Sequence, residues 1–333
     1  MLWSAGALTC ACASVQPRPP PEETPALRTA RWERLAAPGT ADLRALAVVS
    51  PQVFWASGTH GTWLRSTDGG ATFETGTVPG ADALDFRSLH AFDAQAAVVL
   101  SAGEPARVFA TSDGGAHWTL RHEVKTKGIF FDSLAFWNAR DGLALGDSLA
   151  GRLAAMGTRD GGATWTDAPG PEAPEGEGGF AASNTCLAVM GDREAWMATA
   201  ARVLHTRDGG ATWTAAPHGL PSSASAGAFS VAFRDGKRGY LAGGDYKDPA
   251  AGSFARTLDG GATWTRGPSP RGYRSVIAIA GAALIVAGTS GSDFSLDDGA
   301  TWAGLGDEAI NTVAVSGSAV FGAGPKGAVY RLR

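Results

Sequence analysis

Six aspartates occupy one place in one recurring motif, so their chemistry is the first question. The motif reads Ser66-Thr-Asp68-Gly-Gly-Ala-Thr-Phe73, Thr111-Ser-Asp113-Gly-Gly-Ala-His-Trp118 and Thr158-Arg-Asp160-Gly-Gly-Ala-Thr-Trp165. It returns as Thr206-Arg-Asp208-Gly-Gly-Ala-Thr-Trp213, Thr257-Leu-Asp259-Gly-Gly-Ala-Thr-Trp264 and Ser295-Leu-Asp297-Asp-Gly-Ala-Thr-Trp302. A carboxylate in a glycine-rich loop suggests calcium binding or acid–base work, but the DxxxD spacing of calcium loops is absent. A tight turn gives the same carboxylate a different task. It accepts N–H bonds within its own turn, while the glycines tolerate positive φ. The expectation for all six is therefore structural.

The other chemistry-bearing residues are thinly spread. The six histidines are scattered, with no CxxC or HxxxH spacing, and no metal site is expected. Cys186 lies in the apolar run Cys186-Leu-Ala-Val-Met190 and reads as an inert core residue. No glycine-rich dinucleotide fingerprint follows a strand, so no cofactor is expected. The nearest pattern, Gly58-x-x-Gly61, recurs at Gly324-x-x-Gly327 as a turn.

The spacing of the motif states what must position these residues. Successive motif aspartates are 45, 47, 48, 51 and 38 residues apart, the length of a four-stranded propeller blade with variable loops. Strand-like runs precede each motif, as in Phe131–Phe136, Gly142-Leu-Ala-Leu-Gly146-Asp147 and Gly151-Arg-Leu153. The aromatic that ends each motif opens an outer strand and offers apolar surface to wedge between sheets.

The ends of the chain complete the pattern. Ala323-Gly324 to Arg331 matches Ser57-Gly58 to Arg65 of the first repeat, but no motif follows it. Near the start, Ala30-Arg-Trp-Glu-Arg34 matches the exit of a motif with nothing before it. The expectation is an all-β, seven-bladed propeller over residues 31–333, with the N-terminal segment supplying the outer strand of the seventh blade. Such closure removes free sheet edges.

Composition agrees. The 333 residues include 46 Gly and 11 Trp, with only 18% charged residues, a profile of short strands and tight turns rather than surface helices. A net charge of −4 supplies no basic field for nucleic acid. Met1 to Ala13 is small and apolar and reads as an export leader, cleaved before Ser14 or lipidated at Cys10 or Cys12. Residues 14–30 read as a proline-rich linker. A periplasmic or extracellular monomer is expected, with a possible lipid anchor and no membrane span. The stretch Pro169 to Glu177 reads as a mobile acidic loop.

The Ser/Thr-x-Asp-Gly-Gly-x-Thr-Trp motif is similar to the BNR or Asp-box repeat of sialidases, sortilin-type receptors and bacterial propellers. Phe131-Asp-Ser-Leu-Ala-Phe136, Asp141-Gly142 and Gly146-Asp147 narrow this, because together they resemble the photosystem II stability/assembly factor family and its non-photosynthetic relatives. That resemblance implies a propeller that binds a protein client and carries no cofactor chemistry. The enzymatic alternative is a sialidase-like Asp-box hydrolase, which would need an Arg-Ile-Pro motif that this sequence lacks. A secreted glycan-binding module is the other alternative.

The binding expectation has one sequence feature. The innermost strands begin Leu43-Arg44, Phe86-Arg87, Phe131-Asp132, Ser183-Asn184, Ala228-Phe229, Tyr273-Arg274 and Ile310-Asn311. The second residue of each pair is expected to face the central channel or its mouth. Blades six, seven, one and two are neighbours on a closed ring, so Arg274, Asn311, Arg44 and Arg87 should gather on one side, with Asp132 across from them. Guanidinium groups there offer forked donors to the carboxylates or carbonyls of a protein or peptide client.

Overall fold

The third repeat shows how one unit folds. Its innermost strand Phe131–Phe136 pairs antiparallel with Gly142–Leu149, which pairs with Arg152–Thr158, which pairs with the outer strand Thr166–Asp167. The computed structural model describes residues 24–333, and seven such four-stranded sheets are found among them. Blades one to six span residues 43–77, 86–124, 131–167, 187–217, 226–266 and 276–306. The innermost strand of each blade lies against that of the next, and that of blade seven returns to blade one.

Blade seven is composite, as expected. Thr312–Ser316, Ala319–Ala323 and Val329–Leu332 are joined by Trp32–Arg34 from the other end of the chain. The register sets Trp32 opposite Leu332, Glu33 opposite Arg331 and Arg34 opposite Tyr330. Residues 24–29, within the stretch read as a linker, form a short helix, and Leu27 and Ala30 pack on the core between blades six and seven. The leader expected at residues 1–13 lies outside the described residues. No helix among the described residues is long and apolar enough to cross a membrane.

The hydrophobic core is divided into seven clusters, each between two neighbouring blades. The motif aromatics act as wedges. Trp165 of blade three packs into the cluster shared with blade two, and Trp213, Trp264 and Trp302 do the same around the ring. Blade seven has no motif, and Trp32 takes that place between blades six and seven, with Nε1 donating to Ser292 Oγ at 3.0 Å.

Each motif aspartate closes its own turn. In the third, Asp160 Oδ1 accepts the Thr164 N–H at 2.9 Å and the Thr158 hydroxyl at 2.9 Å, while Oδ2 accepts the Thr164 hydroxyl at 2.6 Å. The same bonds form at Asp68, Asp208, Asp259 and Asp297, and at Asp113 a histidine replaces the second threonine. These donors favour the ionised form. The Thr72 hydroxyl holds Asp68 down at about 2, and the Thr212 hydroxyl does the same to Asp208. The two glycines after Asp160 take φ of 73° and 85°, a region that favours glycine.

The segment 169–177 is not the free acidic loop its composition suggests. Ala173 N–H donates to Gly151 C=O at 3.0 Å, Arg152 reaches Gly170 C=O at 2.7 Å, and the Glu177 carboxylate forks onto Arg202 at 2.7 and 2.8 Å. Glu172 and Glu177 are paired locally, with Arg152 and Arg202, and tie the chain down.

Candidate functional site at the channel mouth

One local irregularity aims the side chains of four blades. In blades one, two, three and five the innermost strand slips register at its start, leaving Arg44, Arg87, Asp132 and Phe229 unpaired in the ladder. Each is the extra residue of a β-bulge, which turns a side chain out of the pleat. The partner strand supplies glycine at this height in three of the four. A Cβ at Gly146 would lie 2.0 Å from Phe130 C=O, and one at Gly243 would lie 1.9 Å from Gly227 C=O. Backbone fills that space, and the bulged residue is sent toward the channel.

The four bulged residues meet at a cavity of about 740 Å³ over one end of the channel, which Asn311 also lines. Arg87 Nε donates to Asp85 at 2.7 Å, its Nη1 reaches Ala181 C=O at 3.3 Å, and its guanidinium lies 5.8 Å from the centre of the Phe130 ring. Arg44 is held more loosely, 3.9 Å from Asp42, and its Nε has no hydrogen-bond partner. Both arginines keep more than a quarter of their side chains exposed.

Two placements differ from expectation. Arg274 does not reach the mouth. It is completely buried, donating to Asp293, Tyr273 C=O and Ser290, because its segment precedes the strand Val276–Ala280 without a bulge; Tyr273 lines the mouth instead. Asn311 does line the cavity, but it is 3% exposed and its amide N–H is spent on Leu43 C=O at 2.9 Å. Asp132 is Arg87's neighbour rather than its opposite, close enough for the guanidinium to favour its ionised form.

Two features of the mouth go beyond what the strand starts mark in the sequence. The first is an aromatic wall. Phe180 stacks on Phe229 with ring centres 3.8 Å apart, Tyr273 meets Phe229 edge-on at 4.8 Å, and half-exposed Tyr246 stands at its outer end. Phe180 comes from the long connection between blades three and four, which carries no motif to mark it. The second is Asp147, whose carboxyl lies close enough to that of Asp132 for its charge to be felt there. Burial and the neighbouring Asp147 charge push Asp132 well above the usual carboxylate range, and burial raises Asp147 to about 6. The resemblance motif contained both residues, but nothing in the spacing joined them.

The arrangement suits non-covalent recognition. The arginines supply forked donors and the wall supplies apolar surface for a side chain. Among the described residues, no three His, Cys, Asp or Glu side chains gather as a metal site.

Residues 24–128 match the family model described as photosynthesis system II assembly factor YCF48. That match spans about a third of the chain, the first two blades and the N-terminal strand that closes the ring. Among solved structures, the chain is similar to YCF48 bound to D1 peptide, with 19% identity and a TM-score of 0.62, over 90% of this chain and 96% of the other. YCF48 from Cyanidioschyzon merolae gives 17% identity and a TM-score of 0.61, over 90% and 98%. The GH74 xyloglucanase from Xanthomonas campestris gives 18% identity and a TM-score of 0.63, over 90% of this chain but 53% of the enzyme. At such identities these likenesses show the fold. A search of curated proteins gives no match.

Proposed function

We propose that this propeller is an exported, monomeric assembly-factor-like scaffold that captures an extended, acidic segment of a client protein at the channel mouth. The observation that carries the reading is the pairing of Arg44 and Arg87 with the wall of Phe180, Phe229, Tyr246 and Tyr273 around one cavity. A segment that offers carboxylates to one side and an apolar side chain to the other satisfies both. The similar YCF48 structure with a D1 peptide supports a peptide as ligand. Export rests on the composition of residues 1–30, a small apolar leader followed by a proline-rich stretch.

An array of synthetic peptides tests this. Peptides that combine aspartate or glutamate with phenylalanine or tyrosine should be retained. Replacing both Arg44 and Arg87 by Ala should weaken the best of them at least tenfold, about 1.4 kcal/mol, and flatten the salt dependence. Retention indifferent to the double substitution would place the site elsewhere. Retention of oligosaccharides in place of peptides would favour the glycan alternative.

A further inference from the structure

Peptide capture by arginines and aromatics leaves one built feature of the mouth unused. Asp132 and Asp147 come from adjacent strands of blade three, and a register slip on each strand turns both carboxyls to the same side. Asp132 Oδ2 accepts the Gly179 N–H at 2.9 Å, and its Oδ1 is buried. The strap Gly178-Gly179 lies directly on the pair, so that a Cβ at Gly178 would fall 1.7 Å from Asp147 Oδ1. Asp147 N–H is fixed to Phe130 C=O at 2.9 Å. Two carboxyls have been placed together, covered by glycine, and set beside Arg87.

We propose that the Asp132–Asp147 pair is a proton-operated charge control for the mouth: one proton taken up by the pair removes the negative charge beside Arg87 and strengthens the capture of an acidic segment. The inference rests on the peptide-capture reading and adds its regulation.

The sign follows from the surroundings. Burial and the Asp147 charge push Asp132 well above the ordinary carboxylate range, and burial raises Asp147 to about 6. The negative charge that Asp147 carries beside Asp132 is therefore lost as pH falls through about 6. The groups facing it do not mask this. Arg87 is paired with Asp85, and the Cys186 thiol is pushed up by burial and stays neutral. Glu177 is turned onto Arg202 and Thr199, and Tyr273 across the mouth is pushed up by burial. Arg44 with Asp42 and Tyr246 complete the far side, and no histidine lines the cavity.

The test uses the full chain and a rhodamine-labelled peptide of aspartate and phenylalanine, whose carboxylates titrate near 3.9 and stay ionised across the window. Fluorescence anisotropy at constant ionic strength should give a Kd at least threefold lower at about pH 5 than at about pH 7.5. Asp147→Asn should bind at both pH values with the low-pH affinity of the native protein. Calorimetry of the unaltered protein near pH 6, in two buffers of different ionisation enthalpy, should show net proton uptake on binding. Equal affinity at both pH values with no proton uptake would overturn the charge control while leaving capture intact. No binding at either pH would overturn both.

Discussion

Arg274 donates to Asp293 Oδ2 from Nε at 2.8 Å and from Nη2 at 2.5 Å, and their side chains are 1% and 0% exposed. Arg271 Nε takes the other carboxylate oxygen at 2.5 Å, so one buried acid binds two arginines. Burial opposes the charge on Arg274 and Asp293 restores it. Such a pair adds little over a well-packed apolar one, but removing one member leaves a buried charge short of its partner.

Arg274→Ala should therefore cost about 3–5 kcal/mol, read from the denaturant midpoint at constant m-value. Arg274→Met combined with Asp293→Leu should recover part of that loss. If Arg274→Ala keeps its midpoint and instead loses peptide binding, the guanidinium belongs to the mouth after all.

The motif aspartates predict an acid limit. Their pKa values are depressed in the folded chain, to about 2 at Asp68, Asp113, Asp208 and Asp259. A depressed carboxylate contributes stability that is present above its unfolded value near 3.9 and lost as pH falls toward the folded one. Their contribution to Tm should hold steady down to about pH 4.5 and then decline toward pH 2. Asp208→Asn should lower Tm at neutral pH by about 1–3 °C, since the turn is solvent-exposed, and the difference should fade near pH 2. A variant that tracks the native curve at every pH would remove the turn role. Asp147 acts with the opposite sign and between about 4 and 6, so the two windows separate.

The repeat made the blades legible because its period and its Gly-Gly turns are local, and local chemistry is written in the sequence. The same holds for Arg44, Arg87 and Phe229, since each follows an apolar residue at the start of an innermost strand. Arg274 shares that spacing but not the bulge, and a bulge depends on how two strands pair rather than on either alone. Asp298 was hidden in the same way. It replaces a motif glycine at φ 53°, and its carboxylate receives the Tyr240 hydroxyl of the preceding blade at 2.6 Å. Phe180 and Asp147 reach the mouth through tertiary contacts that no periodicity marks.

Ring closure gives the remaining prediction. Trp32 is 6% exposed, packs with Val276, Phe294 and Val313, and donates to Ser292 Oγ, while its strand pairs with Val329–Leu332. Without that strand, blade seven would expose the edge of its penultimate strand and the cluster between blades six and seven would lose its wedge. Trp32→Ala should cost about 3–5 kcal/mol, and deletion of residues 29–35 should cost more because the backbone pairing goes too. Glu33 on the same strand is the control. Its carboxylate meets Arg333 at 2.7 Å, but both side chains are about half exposed, and exposed pairs contribute at most about 1 kcal/mol. Glu33→Ala should leave Tm nearly unchanged. Calorimetric scans of the three variants decide the matter: similar melting of Trp32→Ala, the deletion and Glu33→Ala would mean that six blades hold the ring without the shared strand.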